Sequence, residues 1–435
     1  MRINDLARWV TTVSTVPPQV QQASVRVVVD AVAAALAGHQ LTGATAARAA
    51  AEATWGAGNS TIWFTSQRGS VTAAAFSNAM ATSILDLDDG HRAACGHPGA
   101  AIVPAVLAAA EDLDITGERV LTAIAIGYEV GIRVIASLDV RAVDTLVTGR
   151  WCGQGVAAAI GWLKGDDADR IAEAIAIAGA VAPYMLVAEY TQVGNHTKEA
   201  IPFGTANGVL AGSLAENGFK GPRDILDHSN YNADVLAHGA GSSWYIETTY
   251  FKPYSCCRWI HAPIDGILSL AGEVDWTCVD ELEVQTFGRT MSLNNQVDPS
   301  TVQAAQYSTP YCVAVAAIRG AASLQPMTEA ILNDEAVRAL SGKVRLTVDP
   351  QLDAMFPAAV PGRVRVTAGG QVFEREVLAP KGEATNPLTW DELTGKLLNI
   401  AKPRLDEDQT TSLLNALRTL RDDVDLRRLF DCLRR

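Results

Sequence analysis

Alanine-rich apolar segments recur in this 435-residue chain up to about residue 265, and they constrain its fold more than any other feature. The stretch 22–37 carries valine, leucine and alanine on nearly every helical face, as a helix buried on most sides does. Similar stretches follow at 98–110, 117–136, 153–163, 168–182 and 203–216. Because alanine side chains are small, such helices approach closely, and the pattern predicts an all-helical core.

The pattern changes near Asp275. Alternation of apolar and polar residues then predicts half-buried strands at 280–287, 343–348, 363–367 and 371–378. The dipeptide Gly369-Gly370 between the last two is typical of a hairpin turn. Helical sequence intervenes at 304–321 and 327–339, and charged amphipathic sequence at 404–435 is expected to fold back on the first helices.

We therefore predict a mainly α protein with two domains. The large all-helical domain comprises residues 1–268 with 400–435, and the smaller α+β domain, placed as a lid, comprises residues 269–399.

Composition excludes several classes of protein. A net charge of −13, without a run of lysine or arginine, argues against a nucleic-acid partner. The most apolar stretches, 28–38 and 100–110, are about half as long as a membrane span, and the first residues lack a signal-peptide pattern. Seven cysteines without a CxxC pair indicate reduced thiols. We expect a soluble cytoplasmic protein with no membrane partner and, since no Walker or GxGxxG motif is present, no nucleotide or flavin cofactor.

The segment 86–97 is the first candidate for chemistry, because it holds three carboxylates and two imidazoles between two apolar runs. Such charge is costly to bury unless it is paired or used. Asp86 and Asp89 either cap helix ends or orient His97 in the wall of a reactive cleft. A metal site is a further alternative, which we do not adopt because no metal-binding spacing such as HExxH is present.

Three further segments carry candidate side chains. Lys198 lies in a polar turn before a helix and is either a surface lysine or a carboxylate-binding cation. Lys252, Arg258 and His261 lie within ten residues of one another and would suit a polycarboxylate, with arginine as the natural clamp. Tyr311 opens an apolar helix and either donates a proton or only satisfies its hydroxyl in the core.

Taken in order, these segments resemble the MmgE/PrpD family, which includes 2-methylcitrate dehydratase, cis-aconitate decarboxylase and iminodisuccinate epimerase. The resemblance spans nearly the whole chain, and its ordered set of motifs is more specific than any single one. The matching residues are Leu85-Asp86-Leu87-Asp88-Asp89, Gly96-His97-Pro98, Pro104-Ala105, Lys198, Phe251-Lys252-Pro253-Tyr254, His261, Gln306-Tyr307-Ser308 and Tyr311.

The resemblance implies a homodimer with a cleft between its helical and lid domains, and neither metal nor organic cofactor. It places Asp86, His97, Lys198, Lys252 and Tyr311 where such enzymes have substrate-binding and acid/base groups. Our predicted catalytic residues are His97, Lys198, Lys252 and Tyr311. Our predicted substrate-binding residues are Asp86, Asp89, Trp151, Arg258 and His261.

Two departures from the family pattern affect the expected reaction. Gly90 stands where decarboxylase relatives often have a small hydroxylated residue, and Trp151 stands where relatives carry a catalytic histidine. An indole transfers no proton at neutral pH, so Trp151 would only shape the pocket. The missing imidazole weakens a decarboxylase assignment and weakens that of a methylcitrate dehydratase.

The implied chemistry is proton abstraction beside a carboxylate of a small di- or tricarboxylic acid. His97 would be the leading acid/base, the two lysines would stabilise the developing charge, and Tyr311 or Lys198 would donate a proton. We rank a 2-methylcitrate-dehydratase-like hydro-lyase first and an iminodisuccinate-type epimerase close behind. A cis-aconitate-type decarboxylase comes third, and a non-catalytic binding protein last.

Overall fold

The computed structural model describes residues 2–113, 115–139, 145, 147–185, 195–237 and 243–434. The first part of the chain is helical, apart from a short antiparallel pair, β1 (Ser60–Thr61) and β2 (Arg68–Gly69). Its helices are α1 (Arg2–Thr12), α2 (Pro18–Gly38), α3 (Thr42–Trp55), α4 (Val71–Ser83), α5 (Pro98–Leu113), α6 (Gly117–Ala136), α7 (Gly149–Lys164), α8 (Ala168–Ala180), α9 (Ile201–Glu216) and α10 (Ala233–Ala237).

Helix α2 lies at the centre of this part. It packs against α4, α5 and α6, and its side chains from Val27 to Leu36 are almost entirely buried. Among the described residues it is the one helix long and apolar enough to cross a membrane, but 78% of the qualifying window is buried inside the protein. Protein therefore covers this apolar surface, as expected for a core helix.

Small residues let the helices approach as predicted. A Cβ on Gly155 of α7 would overlap the carbonyl oxygen of Gly127 on α6, so this crossing requires glycine at position 155. On its other side α7 packs against α9, where a Cβ on Gly208 would lie 2.5 Å from the carbonyl oxygen of Gly153.

The second part of the chain contains a four-stranded sheet in the order β4-β3-β5-β6. Strands β3 and β4 are parallel, whereas β3–β5 and β5–β6 are antiparallel. The hairpin turn at Gly369-Gly370 has the predicted glycines in left-handed conformations, with φ of 54° and 75°. The strands are β3 (Val279–Thr286), β4 (Val344–Val348), β5 (Gly362–Ala368) and β6 (Gln371–Val377).

Short helices cover this sheet, and β5 and β6 pack against the first of them, α11. Val364 of β5 faces this helix, since a Cβ built on Gly266 of α11 would lie 3.0 Å from the Val364 side chain.

The mainly α fold with a smaller α+β part is confirmed. The helices of this region are α11 (His261–Ser269), α12 (Val302–Ala305), α13 (Thr309–Arg319), α14 (Glu335–Ser341) and α15 (Pro350–Met355).

Two predicted helices are broken, and side-chain caps explain both breaks. The stretch 304–321 divides into α12 and α13, because the Ser308 hydroxyl accepts a hydrogen bond from the Tyr311 backbone N–H and starts a new helix. The stretch 327–339 divides into a 3₁₀ segment and α14, which the Asp334 carboxylate caps. The first break places Gln306 and Tyr307, both buried, at a corner of the chain.

The C-terminal segment returns to the helical part, as predicted. It contains α16 (Trp390–Ala401), α17 (Glu407–Thr419) and α18 (Arg427–Leu433), and α16 packs against α2. The predicted domain boundary between residues 399 and 400 falls inside α16 rather than between elements. Arg434 completes the return through a β-bridge to Thr65 and an ion pair with Glu111 at 3.2 Å.

Candidate active site

The loop between α4 and α5 brings its own two ends together. Asp86 has a left-handed backbone with φ of 52°, and Gly90 forms a β-bridge with Tyr250. A second bridge between His91 and Gly96 closes a small turn just before His97. As a result the Asp86 carboxylate lies 3.6 Å from His97 Nε2, although eleven positions separate the two residues in sequence.

Asp86 is the centre of a buried charged cluster. Its Oδ1 lies 3.2 Å from Lys252 Nζ and 3.7 Å from Lys198 Nζ, besides its contact with His97. Lys252 is fully buried, and Asp86 and Lys198 are nearly so. Burial alone would raise the pKa of Asp86, but Lys252, Lys198 and His97 outweigh it and hold that pKa well below its usual range.

His97 lies between two further carboxylates. Its Nδ1 donates to Asp88 Oδ2 at 3.1 Å, and its Nε2 lies 3.6 Å from Glu199 Oε1. Burial and the charge of Lys252 act to lower the pKa of His97, but Asp88 and Glu199 outweigh them and raise it to about 10. The imidazole is therefore protonated at neutral pH and can act as an acid.

A left-handed turn delivers Lys198 and Glu199 to the cluster. Lys198, Glu199 and Ala200 have consecutive φ values of 44°, 54° and 54°. This conformation costs roughly 1–2 kcal/mol per non-glycine residue, so the surrounding contacts must hold it. It directs two successive side chains, one cation and one carboxylate, to the same side.

Polar groups from both parts of the chain fix this turn. Lys198 Nζ donates to Gln306 Oε1 at 3.2 Å and to the Tyr307 hydroxyl at 3.0 Å. The Thr148 hydroxyl donates to Glu199 Oε2 at 2.9 Å and accepts from the His97 backbone N–H at 3.0 Å. The cluster therefore joins the helical part to the corner between α12 and α13.

Lys396 of α16 binds the backbone of the loop that carries Asp86 and Asp88. Its Nζ donates to the Leu87 carbonyl oxygen at 2.6 Å and to Asp30 Oδ1 at 2.7 Å. Leu87 stands between Asp86 and Asp88, so this bond fixes the backbone that carries both carboxylates.

Asp89, predicted to bind substrate, lies on the same loop, but its carboxylate binds other partners than the charged cluster. Its carboxylate accepts from the Gly99 backbone N–H at 2.9 Å and from the Tyr128 hydroxyl at 2.5 Å, at the start of α5. Burial, assisted by the negative charge of Asp30, raises the pKa of Asp89 to about 7. These contacts correspond to the helix-capping alternative of the sequence analysis.

Arg258 and His261 lie beside the cluster and bind mainly to protein. Arg258 donates to Glu383 Oε1 at 2.9 Å, to His261 Nδ1 at 3.1 Å and to two backbone carbonyls. His261 in turn donates from Nε2 to the Cys256 carbonyl oxygen. Burial, Arg258 and Lys252 hold the pKa of His261 well below its usual range, so this imidazole is neutral.

Two other predicted site residues have core surroundings. The Tyr311 hydroxyl donates to the Ile331 carbonyl oxygen at 2.7 Å, and the structure places Tyr307 rather than Tyr311 on Lys198. Trp151 packs its indole against the backbone of Gly131 and beside Gly96, one residue before His97. Its Nε1 has no hydrogen-bond partner among the described residues. The roles assigned to Tyr311 and Trp151 stay predictions.

Sequence reasoning missed several members of the cluster. Asp88 was named only as part of the family motif, although it binds His97 directly. Glu199 and Thr148 were not singled out, and Gln306 and Tyr307 entered only through the family motif. The adjacency of Glu199 to Lys198 was the available signal, but side chains of neighbouring residues ordinarily diverge, and only the left-handed turn brings these two together.

Asp86, Asp88 and His97 also offer three ligand atoms within 4.8 Å of one another, a possible metal-binding group. The two carboxylates already face Lys252, Lys198 and the protonated His97. A divalent cation would have to displace these internal cations, so the arrangement is better suited to acid/base chemistry than to metal ligation.

Comparison with known proteins finds matches along most of the chain. The MmgE/PrpD N-terminal domain matches residues 4–244, and the MmgE/PrpD C-terminal domain matches residues 254–422. A cis-aconitate decarboxylase of Aspergillus terreus is 26% identical over 402 residues, which cover 83% of this chain and 81% of that protein. Human cis-aconitate decarboxylase is 26% identical over 384 residues, 81% of this chain and 77% of the relative. A cis-aconitate decarboxylase-like protein of Aspergillus oryzae is 25% identical over 98% of this chain and 95% of its own length.

Proposed function

The chain belongs to the MmgE/PrpD family, and from this premise we propose that it is a cofactor-independent lyase acting on a small polycarboxylic acid. We further propose that the reaction is a decarboxylation that ends with protonation of carbon by His97. The observation that carries this choice is the position of the His97 imidazole between the carboxylates of Asp88 and Glu199, whose charges raise the pKa of His97 to about 10.

Decarboxylation needs an acid at the reacting carbon and no base. A leaving carboxylate departs as CO₂ and leaves its electron pair on the neighbouring carbon, which then takes the proton from His97. Solvent returns a proton to the imidazole, so the sum is one carboxylate and one proton converted to CO₂ and a new C–H bond. Lys198 and Lys252 would stabilise the negative charge as it develops.

Trp151 lacks the imidazole that the sequence analysis expected of a decarboxylase, but the protonated His97 supplies an acid in the same cluster. The protonation state of the cluster therefore favours decarboxylation over the dehydratase that we ranked first from the sequence. Burial lowers the pKa of Lys252, but Asp86 and Asp88 outweigh it and raise that pKa, so this amine stays protonated. Neither Lys252 nor His97 is then a base at neutral pH. The names of the curated relatives point in the same direction.

Dehydration remains the second candidate, because Glu199 offers a carboxylate 3.6 Å from the His97 imidazolium. In that case Glu199 would remove the proton beside the substrate carboxylate and His97 would protonate the leaving hydroxyl. An epimerase would instead need two acid/base groups on opposite faces of one carbon.

The experiment is incubation of the purified chain with cis-aconitate, 2-methylcitrate and iminodisuccinate in D₂O. We expect release of CO₂ from cis-aconitate and one solvent deuteron on carbon in the product, and we expect H97Q to abolish both. Release of water from 2-methylcitrate without CO₂ would establish the dehydratase instead, and deuterium in inverted substrate would establish an epimerase. Binding of these acids without turnover would establish a binding protein.

We also propose a homodimer, as the family resemblance implies. Light scattering on the eluted protein gives its mass directly, and a monomer of 46.1 kDa at all concentrations would contradict the proposal.

A further inference from the structure

The start of α7 lies between two of the segments that form the charged cluster. Its first residue, Gly149, packs on the left-handed turn, since a Cβ on Gly149 would lie 2.5 Å from the Ala200 carbonyl oxygen. A Cβ on Gly96 would likewise lie 2.7 Å from the hydroxyl oxygen of Thr148, the residue that precedes the helix. Three segments that are distant in sequence therefore meet around Thr148.

The buried side chain of Thr148 binds both neighbouring segments. Its hydroxyl donates to Glu199 Oε2 at 2.9 Å and accepts from the His97 backbone N–H at 3.0 Å. The Thr148 backbone N–H donates to the same Glu199 oxygen at 3.3 Å. One residue therefore fixes the Glu199 carboxylate and the backbone of His97 relative to each other.

These bonds determine which Glu199 oxygen faces the imidazole. Because Thr148 holds Oε2, Oε1 is left to face His97 Nε2, 3.6 Å away. A long side chain loses rotational freedom when it is held in one orientation, so this arrangement needs specific contacts. The positive end of the α7 dipole also attracts the Glu199 carboxylate.

The other charges around His97 come from different positions. His97 contacts three carboxylates, and two of them, Asp86 and Asp88, belong to its own loop. Both lysines of the cluster lie on Asp86. Burial and the charge of Lys252 lower the pKa of His97, whereas Asp88 and Glu199 raise it. Among the described residues, Glu199 is the one contacting carboxylate that another segment brings to the imidazole, so its position depends on the groups that hold it.

We propose that Thr148 is a positioning residue, which holds the Glu199 carboxylate against the His97 imidazole and so keeps that imidazole available as an acid. This inference rests on the proposed function, in which His97 delivers a proton to carbon. Thr148 acts through Glu199 rather than on the substrate. Without the hydroxyl, Glu199 is free to turn away, and the imidazole loses its proton at a lower pH.

The test measures the pKa of His97 in variants of Thr148. Histidine labelled with ¹⁵N in the full chain gives the pKa of each imidazole from an NMR titration, and the signal that H97Q lacks is that of His97. We expect T148V to lower this pKa by about 1 or more, because the interaction of two charges about 4 Å apart weakens as they separate. T148S keeps the hydroxyl and should lower it by less than about 0.5. T148A is a second variant without the hydroxyl and should behave as T148V.

Two controls separate this role from a general effect on folding. In an E199Q background the carboxylate charge is already absent, so T148V should change the pKa of His97 by less than about 0.3. T122V removes another buried hydroxyl, which donates to the Glu118 carbonyl oxygen of its own helix α6, and should leave that pKa unchanged.

An unchanged pKa of His97 in both T148V and T148A would overturn the proposal, as would an equal fall with and without the Glu199 charge. The titration needs no substrate, so it is independent of turnover. A lowered pKa together with an absence of CO₂ release in the earlier experiment would reject the decarboxylase alone and support the positioning of Glu199.

Discussion

Lys252 Nζ lies 3.2 Å from Asp86 Oδ1, and no part of the Lys252 side chain reaches solvent. A buried ion pair of this kind contributes little net stability compared with apolar residues, but removal of one partner leaves the other uncompensated. The pair thus makes the fold depend on the same carboxylate that organises the acid/base groups.

Asp86 and Asp89 provide a matched comparison, because both are buried carboxylates on one loop with opposite pKa shifts. D86N leaves Lys252 without its closest carboxylate, and we expect it to abolish activity and lower the free energy of unfolding by about 3–5 kcal/mol. D89N keeps a carbonyl oxygen for the Gly99 N–H and can donate from its amide nitrogen to the Tyr128 hydroxyl oxygen, so it should cost less than about 1 kcal/mol at pH 8. Denaturant titration of both variants checks this, and equal losses would contradict the assignment of Asp89 to helix capping.

His97 should make stability depend on pH in the alkaline range. Its pKa is raised in the folded chain to about 10 from 6.5, so its contribution is fully present below about pH 6.5 and is lost as pH rises toward 10. The difference in unfolding free energy between the unmodified chain and H97Q should fall by at most on the order of 5 kcal/mol over this window. A difference that stays constant from pH 6 to pH 10 would show that the imidazole is neutral in the folded protein.

The left-handed turn should tolerate glycine at its last position. A200G relieves the positive φ of Ala200, which offsets the loss of a methyl group and the greater freedom of the unfolded chain. A206G, inside the right-handed helix α9, offers no such relief. We expect A200G to cost at least about 1 kcal/mol less than A206G in thermal or denaturant unfolding, and a greater cost for A200G would argue against the strained turn.

Gly90 should resist substitution because of Tyr250. A Cβ at position 90 would overlap the Tyr250 hydroxyl, so G90A must displace the ring on which Arg92 and Arg258 stack. We expect G90A to cost about 1–3 kcal/mol, and nearly nothing further in a Y250A background. G212A is the matched control, since a Cβ at that helical glycine meets no atom within 4 Å. Equal effects of G90A with and without Tyr250 would exclude this explanation.

Periodic patterns predicted the elements that depend on local sequence. The apolar stretch 22–37, the hairpin at Gly369-Gly370 and the strand 363–367 all occur where the sequence placed them. The break at 306–308 was missed, because a serine cap interrupts an apolar pattern without changing its period. A period of 3.6 residues describes a helical face but not the point at which a side-chain hydrogen bond starts a new helix.

The site was predicted in part, for a comparable reason. Asp86, His97, Lys198 and Lys252 are brought together, as charged residues in apolar surroundings suggested. The pairing of Arg258 with Glu383 depends on a contact 125 residues along the chain, which no local pattern reveals. The same limit applies to the protonation of His97, because it follows from carboxylates that only the tertiary fold positions.

The bond from Lys396 to the Leu87 carbonyl oxygen also has a consequence for biosynthesis. Residue 87 leaves the ribosome long before residue 396, and a nascent chain folds from its N-terminal end. The hydrogen bond between Lys396 and the loop that carries Asp86 and Asp88 can therefore form only after nearly the whole chain has been translated. A ribosome-bound fragment that ends before α16 will contain the helical core but not a finished site, so translation itself delays catalytic competence until the final helices emerge.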